Sequence, residues 1–187
     1  NGGAKYTPTS NITLHAQWTI NQNTLTVNPN GGKVTFNGAE RTSSTSVTQN
    51  YNTTIAVPNA SGKANSVDTS SKYTVSYNSH GGGTASATDA TITKTTTYTF
   101  SSWTNSGTCG SMPGTTYTFP ANSGTTCTKT ASWTSNTTSS TAQVTLPTVT
   151  KTGYTLNGWY TAETGGTKIG NAGAKYTPTA NITLHAQ

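Results

Sequence analysis

Charge is nearly missing from this sequence. Ten bases and four acids stand among 187 residues, where an ordinary globular chain would carry roughly 25% charged residues. The formal charge of +6 and the isoelectric point near 9.4 therefore come from a shortage of acids. The bases, among them Lys33, Lys63, Lys94 and Lys151, are spaced singly. Without a Lys/Arg run there is no stripe to track phosphates, so nucleic acid is not an expected partner.

Large aliphatics are scarce as well. Leu, Ile, Val and Phe together number 22. No stretch approaches the roughly 20 apolar residues of a membrane span, so no membrane insertion is expected. Thin hydrophobicity signals disorder when it is joined to high net charge, and here the net charge is small. Threonine makes up roughly a quarter of the chain and there are nine tyrosines. Both suit a half-buried pleated surface. The expectation is ordered β-structure with thin cores.

The residue groupings that carry chemistry are missing too. Glu40, Asp68, Asp89 and Glu163 are far apart in sequence, whereas a paired-carboxylate hydrolase holds two carboxyls a few ångströms apart. His15 and His185 occupy one repeat position on the polar face of a strand, and His80 lies in a Gly-rich turn. All three read as surface histidines. No G-x-S-x-G elbow offers a nucleophile. "NPNGG" (28–32) and "NSHGGG" (78–83) could cradle phosphate only ahead of a helix; turns needing positive φ explain their glycines better. No catalytic residue, metal or cofactor is expected, and the chain is expected not to be an enzyme.

Only two cysteines occur, Cys109 and Cys127. Their spacing is no zinc pattern. Either they are two separate buried thiols or they close a hairpin-like loop with a disulfide, which would stabilise by roughly 3 kcal/mol in the chain-entropy model. A Ser/Thr/Asn-rich, charge-poor chain fits export, where disulfides persist, so the bond is the expected state.

What the sequence does have is alternation and repetition. In "NITLHAQW" (11–18), Ile12, Leu14, Ala16 and Trp18 alternate with polar residues, the mark of a strand with one buried face. "TLTV" (24–27), "KYTVSY" (72–77) and "AQVTL" (142–146) follow suit, with Gly/Asn-rich turns between them. No 3.6-residue stripe is sustained. The fold is expected to be all-β, with short strands at hairpin spacing.

The opening phrase "NGGAKYTPTSNITLHAQ" returns as residues 171–187, with fifteen of seventeen positions identical. Shorter echoes align Trp103 with Trp159, Tyr117 with Tyr6, and Trp133 with Trp18. These divide the chain into a closing strand of a preceding repeat (1–18), a partial β module with linker (19–71), a complete module with the cysteine pair (72–133), and a linker with a further module (134–187). The strands "TTIAVP" (53–58) and "AQVTLP" (142–147) could belong to two modules in tandem or to one unit split by an insertion. Having two of them favours tandem. The expected repeat core is Trp18, Trp103, Trp133 and Trp159 with Tyr6, Tyr117, Tyr154 and Tyr176, since few aliphatics remain to fill thin cores.

The order Gly153, Tyr154, Gly158, Trp159, Gly165, Gly166 and then the closing strand "KYTPTANITLHAQ" resembles the Listeria–Bacteroides repeat, also called the internalin-type B repeat. Residues 146–187 carry the resemblance best, with 1–18 as the tail of a preceding copy and 72–133 as a weaker match. Lys129 departs from it, standing where Leu14 does, and the cysteine pair is an addition. The resemblance implies β-grasp-like modules strung in tandem as an elongated array on secreted or wall-attached bacterial proteins. It implies adhesion, spacing or partner binding, with neighbouring copies of the repeat as partners. The expected function is therefore structural: a segment of an extracellular stalk, adhesin or filament. The alternatives are a module binding a host glycan or protein through exposed aromatics and, more weakly, a fragment of a secreted hydrolase. Trp is expected to follow Gln187, with more copies on both sides.

Overall fold

The computed structural model describes residues 2–187. Among these the chain is all-β, with no α-helix. In chain order the strands are β1 (Gln22–Asn28), β2 (Val34–Phe36), β3 (Ala39–Arg41), β4 (Thr45–Asn50), β5 (Thr54–Ala56), β6 (Ser66–Asn78), β7 (Thr88–Gly107), β8 (Thr116–Thr118), β9 (Thr126–Thr141), β10 (Val144–Thr145), β11 (Trp159–Tyr160), β12 (Lys168–Gly170), β13 (Lys175–Tyr176) and β14 (Ile182–Ala186). They divide between two compact units. The first takes the residues up to Ser61 together with Ser102–Ser132, and the second takes Gly62–Ser101 with Trp133–Gln187.

In the first unit β1 is the central strand. It runs antiparallel to β4, with Leu25 opposite Val47, and parallel to β9, with Leu25 opposite Cys127 and Val27 opposite Lys129. The alternation of β1 sends Asn23, Leu25 and Val27 inward. Leu25 and Val27 meet Val34, Phe36, Val57, Tyr117 and Phe119 in one buried cluster. A short antiparallel pair, β5 with β8, sets Ile55 opposite Tyr117. The β2–β3 hairpin turns on Asn37-Gly38, both at positive φ (50° and 76°). This is the type I′ geometry that matches strand twist and that Asn-Gly adopts at least cost.

The second unit repeats the plan. β6 runs parallel to β14, with Val75 opposite Ile182 and Tyr77 opposite Leu184, and antiparallel to β7. β14 also pairs antiparallel with β11, which pairs with β12. The short pair β10–β13 sets Val144 opposite Tyr176, matching Ile55 and Tyr117. Val75, Ala90, Val144, Leu146, Val149, Trp159 and Leu184 form its core. Both opening strands end in the same turn. The Asn28 carboxamide accepts from Asn30 N and Gly32 N donates to Pro29 O; the Asn78 carboxamide accepts from His80 N and Gly82 N donates to Ser79 O.

The division differs from the one expected along the sequence. Residues 72–133 do not form one unit: β6 belongs with 133–187, whereas 102–132 belong with β1. The two strands "TTIAVP" and "AQVTLP" do supply one short strand to each unit, but the chain interleaves the units. The cause is parallel pairing. A parallel partner needs a long crossover, and the partner found here is remote: Asn23 bonds Thr125 across 102 residues. Hairpin spacing therefore describes the turns but not the pairs that define each unit.

Candidate functional site: the closing-strand cleft

Each unit is completed by a strand laid parallel to its opening strand. In the second unit this strand is Asn181–Gln187, and nearly every residue of the phrase has a defined task. The Asn181 carboxamide accepts from Thr74 N at 2.9 Å. Ile182 packs against the core, and Leu184 is 0% exposed within it. The Gln187 carboxamide donates to Ala162 O and Gly165 O, both at 2.8 Å. Its backbone accepts from Asn157 N and donates to Gly158 O. The floor of the cleft is Trp159, whose indole donates to Pro147 O at 2.8 Å and whose ring meets Tyr77 edge-on at 5.0 Å. Gly158 sits at φ +140°, and a Cβ there would come within 2.7 Å of Gly170 O. Only glycine lets β12 close on β11.

His185 stands at the end of β14, where its register partner is Asn78. This brings it to the β6 turn, and its Nδ1 lies 2.9 Å from His80 Nε2. The two rings are nearly parallel, inclined by 21° with centroids 5.1 Å apart. His80 Nδ1 lies 3.2 Å from Glu163 Oε1. Lys151 donates to His80 O at 2.9 Å and lies over the Tyr154 ring at 4.6 Å. A cavity of about 200 Å³ opens beside this row, lined by Ser79, His80, Lys151, Tyr154, Leu156 and Gln187 among others. Glu163, His80 and His185 thus form one row of polar contacts. The Ser79 hydroxyl donates instead to Gly82 O, away from the histidines. Histidines expected on the open surface are thus joined to each other, a contact between residues 105 positions apart that only the parallel register reveals.

The acids are engaged one by one. Glu40 pairs with Lys33 at 3.0 Å. Asp89 takes a bond from Lys72 and another from Thr74, and these hold its carboxyl below the ordinary carboxylate value. Asp68 is lowered by hydrogen bonds from Ser70.

In the first unit the closing strand is the start of β9. Cys127 stands at the register position of Ile182, and Lys129 at that of Leu184. Cys127 is bonded to Cys109, which pins the closing strand to the loop after β7. Lys129 is 5% exposed. Burial lowers its ammonium pKa below the ordinary 10.5, and its Nζ lies 5.7 Å from the Tyr117 ring centre.

The residues expected to form a repeat core fall into three groups. Trp159 and Tyr117 are buried, the latter with its hydroxyl accepting from Gly110 N. Trp103 and Tyr176 are half-buried against the cores of the first and second units, and half-buried Trp133 meets Phe100 edge-on at 6.0 Å. The remaining three need correction. Trp18 is 91% exposed, and Tyr6 and Tyr154 are also exposed. Tyr154 lies out over Lys151 at the cavity rim. Tyr6 and Trp18 belong to the first copy of the closing phrase, which forms no strand and has every described side chain from 2 to 20 exposed.

Residues 116–187 match the family model of the Listeria-Bacteroides repeat domain. The match takes in β8 and β9 and runs through β14. No curated protein and no solved structure matches the chain.

Proposed function

Residues 116–187 belong to the Listeria-Bacteroides repeat family, typical of bacterial surface proteins, and on that premise we propose that the chain is a scaffold segment of a repetitive extracellular surface protein. One observation carries this reading. The same plan of opening strand, Asn-x-x-Gly-Gly turn and parallel closing strand is built twice, and the closing phrase occurs a further time at residues 1–17. Repeated architecture serves reach and spacing, and tandem copies multiply weak contacts. The dense Thr, Ser and Asn surface keeps it hydrated with little charge. No helix among the described residues is long and apolar enough to cross a membrane. The proposed partners are neighbouring copies of the repeat. The proposed role is a scaffolding one, without catalysis.

Antibody labelling of intact cells of the source bacterium tests this reading. Labelling without lysis is the expected result; signal only after lysis contradicts it. A second reading, glycan or host-protein binding, draws support from Tyr154, 72% exposed beside Lys151 and the cavity. A glycan array probed with the wild-type chain and with Tyr154→Ala addresses it, since a ligand stacked on that ring loses binding in the variant.

A further inference from the structure

The histidine pair joins the β6 turn to the closing strand by a contact that the shared plan does not require. In the first unit the same turn is clasped to its closing strand without histidine. Asn30 holds the position of His80: the backbone N–H of each donates to the carboxamide of the Asn two residues before it, and each sits at φ 48°. The Asn30 carboxamide donates to Ala131 O at 3.0 Å. Thr130 holds the position of His185, opposite Asn28 as His185 is opposite Asn78. In the second unit two imidazoles stand there instead, with His80 Nε2 and His185 Nδ1 at 2.9 Å.

We propose that His80 and His185 bind a divalent metal ion of the zinc or copper class. The tautomer of His80 is set by Glu163. Its Oε1 lies 3.2 Å from His80 Nδ1, and a carboxylate accepts there, so the neutral ring keeps its lone pair at Nε2, facing His185. A carboxylate on the far nitrogen is the arrangement that orients metal-binding histidines and raises their basicity. Imidazole pairs suit zinc, copper and nickel, whereas calcium and magnesium take oxygen ligands. Zinc–nitrogen bonds of about 2.0–2.1 Å at a tetrahedral angle set two nitrogens roughly 3.3 Å apart, so the rings need to part by only about 0.4 Å and turn both lone pairs to the ion. His185 then gives up its proton at Nδ1 and takes one from water at Nε2. The ring stays neutral and nothing is oxidised. The His80 side chain is 23% exposed and His185 is half-buried, which leaves solvent a way in. No group of three His, Cys, Asp or Glu among the described residues could hold a metal ion, so the protein supplies two ligands and water completes the shell. The neighbouring Lys151 ammonium is engaged by His80 O and the Tyr154 ring. A bound ion ties the β6 turn to β14 and so holds the closing strand in its cleft.

The test uses the full chain, with zinc chloride as the probe and calcium chloride as the control. Calorimetric titration is expected to show one equivalent of zinc bound and no calcium. The ring signals of His80 and His185 should shift in NMR spectra while those of His15 stay, and amide exchange at Leu184 should slow. His80→Asn and His185→Thr place the first unit's residues at these positions. Each should weaken zinc binding at least tenfold while Val75 keeps its amide protection. Glu163→Gln leaves both ligands in place and should weaken binding about tenfold, as loss of an outer partner does. Each histidine variant removes one of the two nitrogens, so if one fails to fold the other decides. The proposal is overturned if the wild-type chain binds no zinc, if the folded histidine variants bind it as wild type does, or if the His15 ring shifts as much as the pair.

Discussion

Residues 1–17 and 171–187 are almost the same sequence with opposite fates. The second copy is a strand with Leu184 at 0% exposure; in the first, Leu14 is 70% exposed. Propensity, alternation and turn residues are shared, so none of them decides the outcome. What differs is the neighbour: β6 and β11 flank the one copy, and no strand flanks the other. An isolated strand leaves its backbone groups to water and its apolar face without a partner, and pairs gain stability only when an edge and a core are available together. Strand formation in this protein is therefore a property of the cleft.

The most forceful way to break this comparison is to make the same substitution in both copies. Leu184→Ala should cost about 2–5 kcal/mol in the second unit, the usual loss for a buried leucine. Leu14→Ala should fall within about 0.5 kcal/mol of wild type, as exposed substitutions do. Hydrogen exchange at the β6 amides reads both. Equal losses would contradict the comparison.

The closing strand of the first unit sharpens it, because there the chemistry differs while the pairing is kept. Reducing the Cys109–Cys127 bond, which spans 18 residues, should lower the stability of the first unit by roughly 3 kcal/mol. Amides of β1 should report the loss and those of β6 should not. A smaller effect of opposite sign is expected from Lys129→Leu. It puts the residue of the Leu184 position into the first unit and removes a buried ammonium, for a gain of about 1–2 kcal/mol.

That gain should depend on pH. The Lys129 pKa is lowered by folding, so the unfolded chain holds that proton more tightly, and wild-type stability rises as pH climbs through the folded value toward 10.5. The advantage of Lys129→Leu should shrink over that range, seen in paired urea titrations at neutral and alkaline pH. The smallest effect belongs to Asp89. Its pKa is lowered in the fold, so its contribution is present at neutral pH and is lost as pH falls below the ordinary 3.8. Asp89→Asn should be slightly less stable than wild type at neutral pH and equal to it in acid.

Much of this was legible in the residues. Alternation marked "YTVSY" and the second "NITLHA" as strands, because period two reports which face a pleat buries, but the same alternation at 11–18 forms no strand. The Asn-x-x-Gly-Gly phrases marked turns, because positive φ is affordable there only to a few residues. Trp159 and Tyr117 read as core from their repeat positions, and they are. The rest depended on long-range pairing that no local pattern encodes. Which opening strand meets which closing strand decides that 102–132 join β1 and not β6. The same pairing decides that His80 meets His185, and that Tyr6 stays exposed although Tyr117, its counterpart in the aligned phrase, is buried.

The central claim is that one phrase folds only where a cleft receives it. Amide exchange of residues 12–16 and 182–186, followed in one sample of the wild-type chain, tests it most directly. The two segments share their sequence, so their intrinsic exchange rates serve as each other's control. The account predicts strong protection for 182–186 and exchange at unprotected rates for 12–16. Comparable protection in both segments would contradict it.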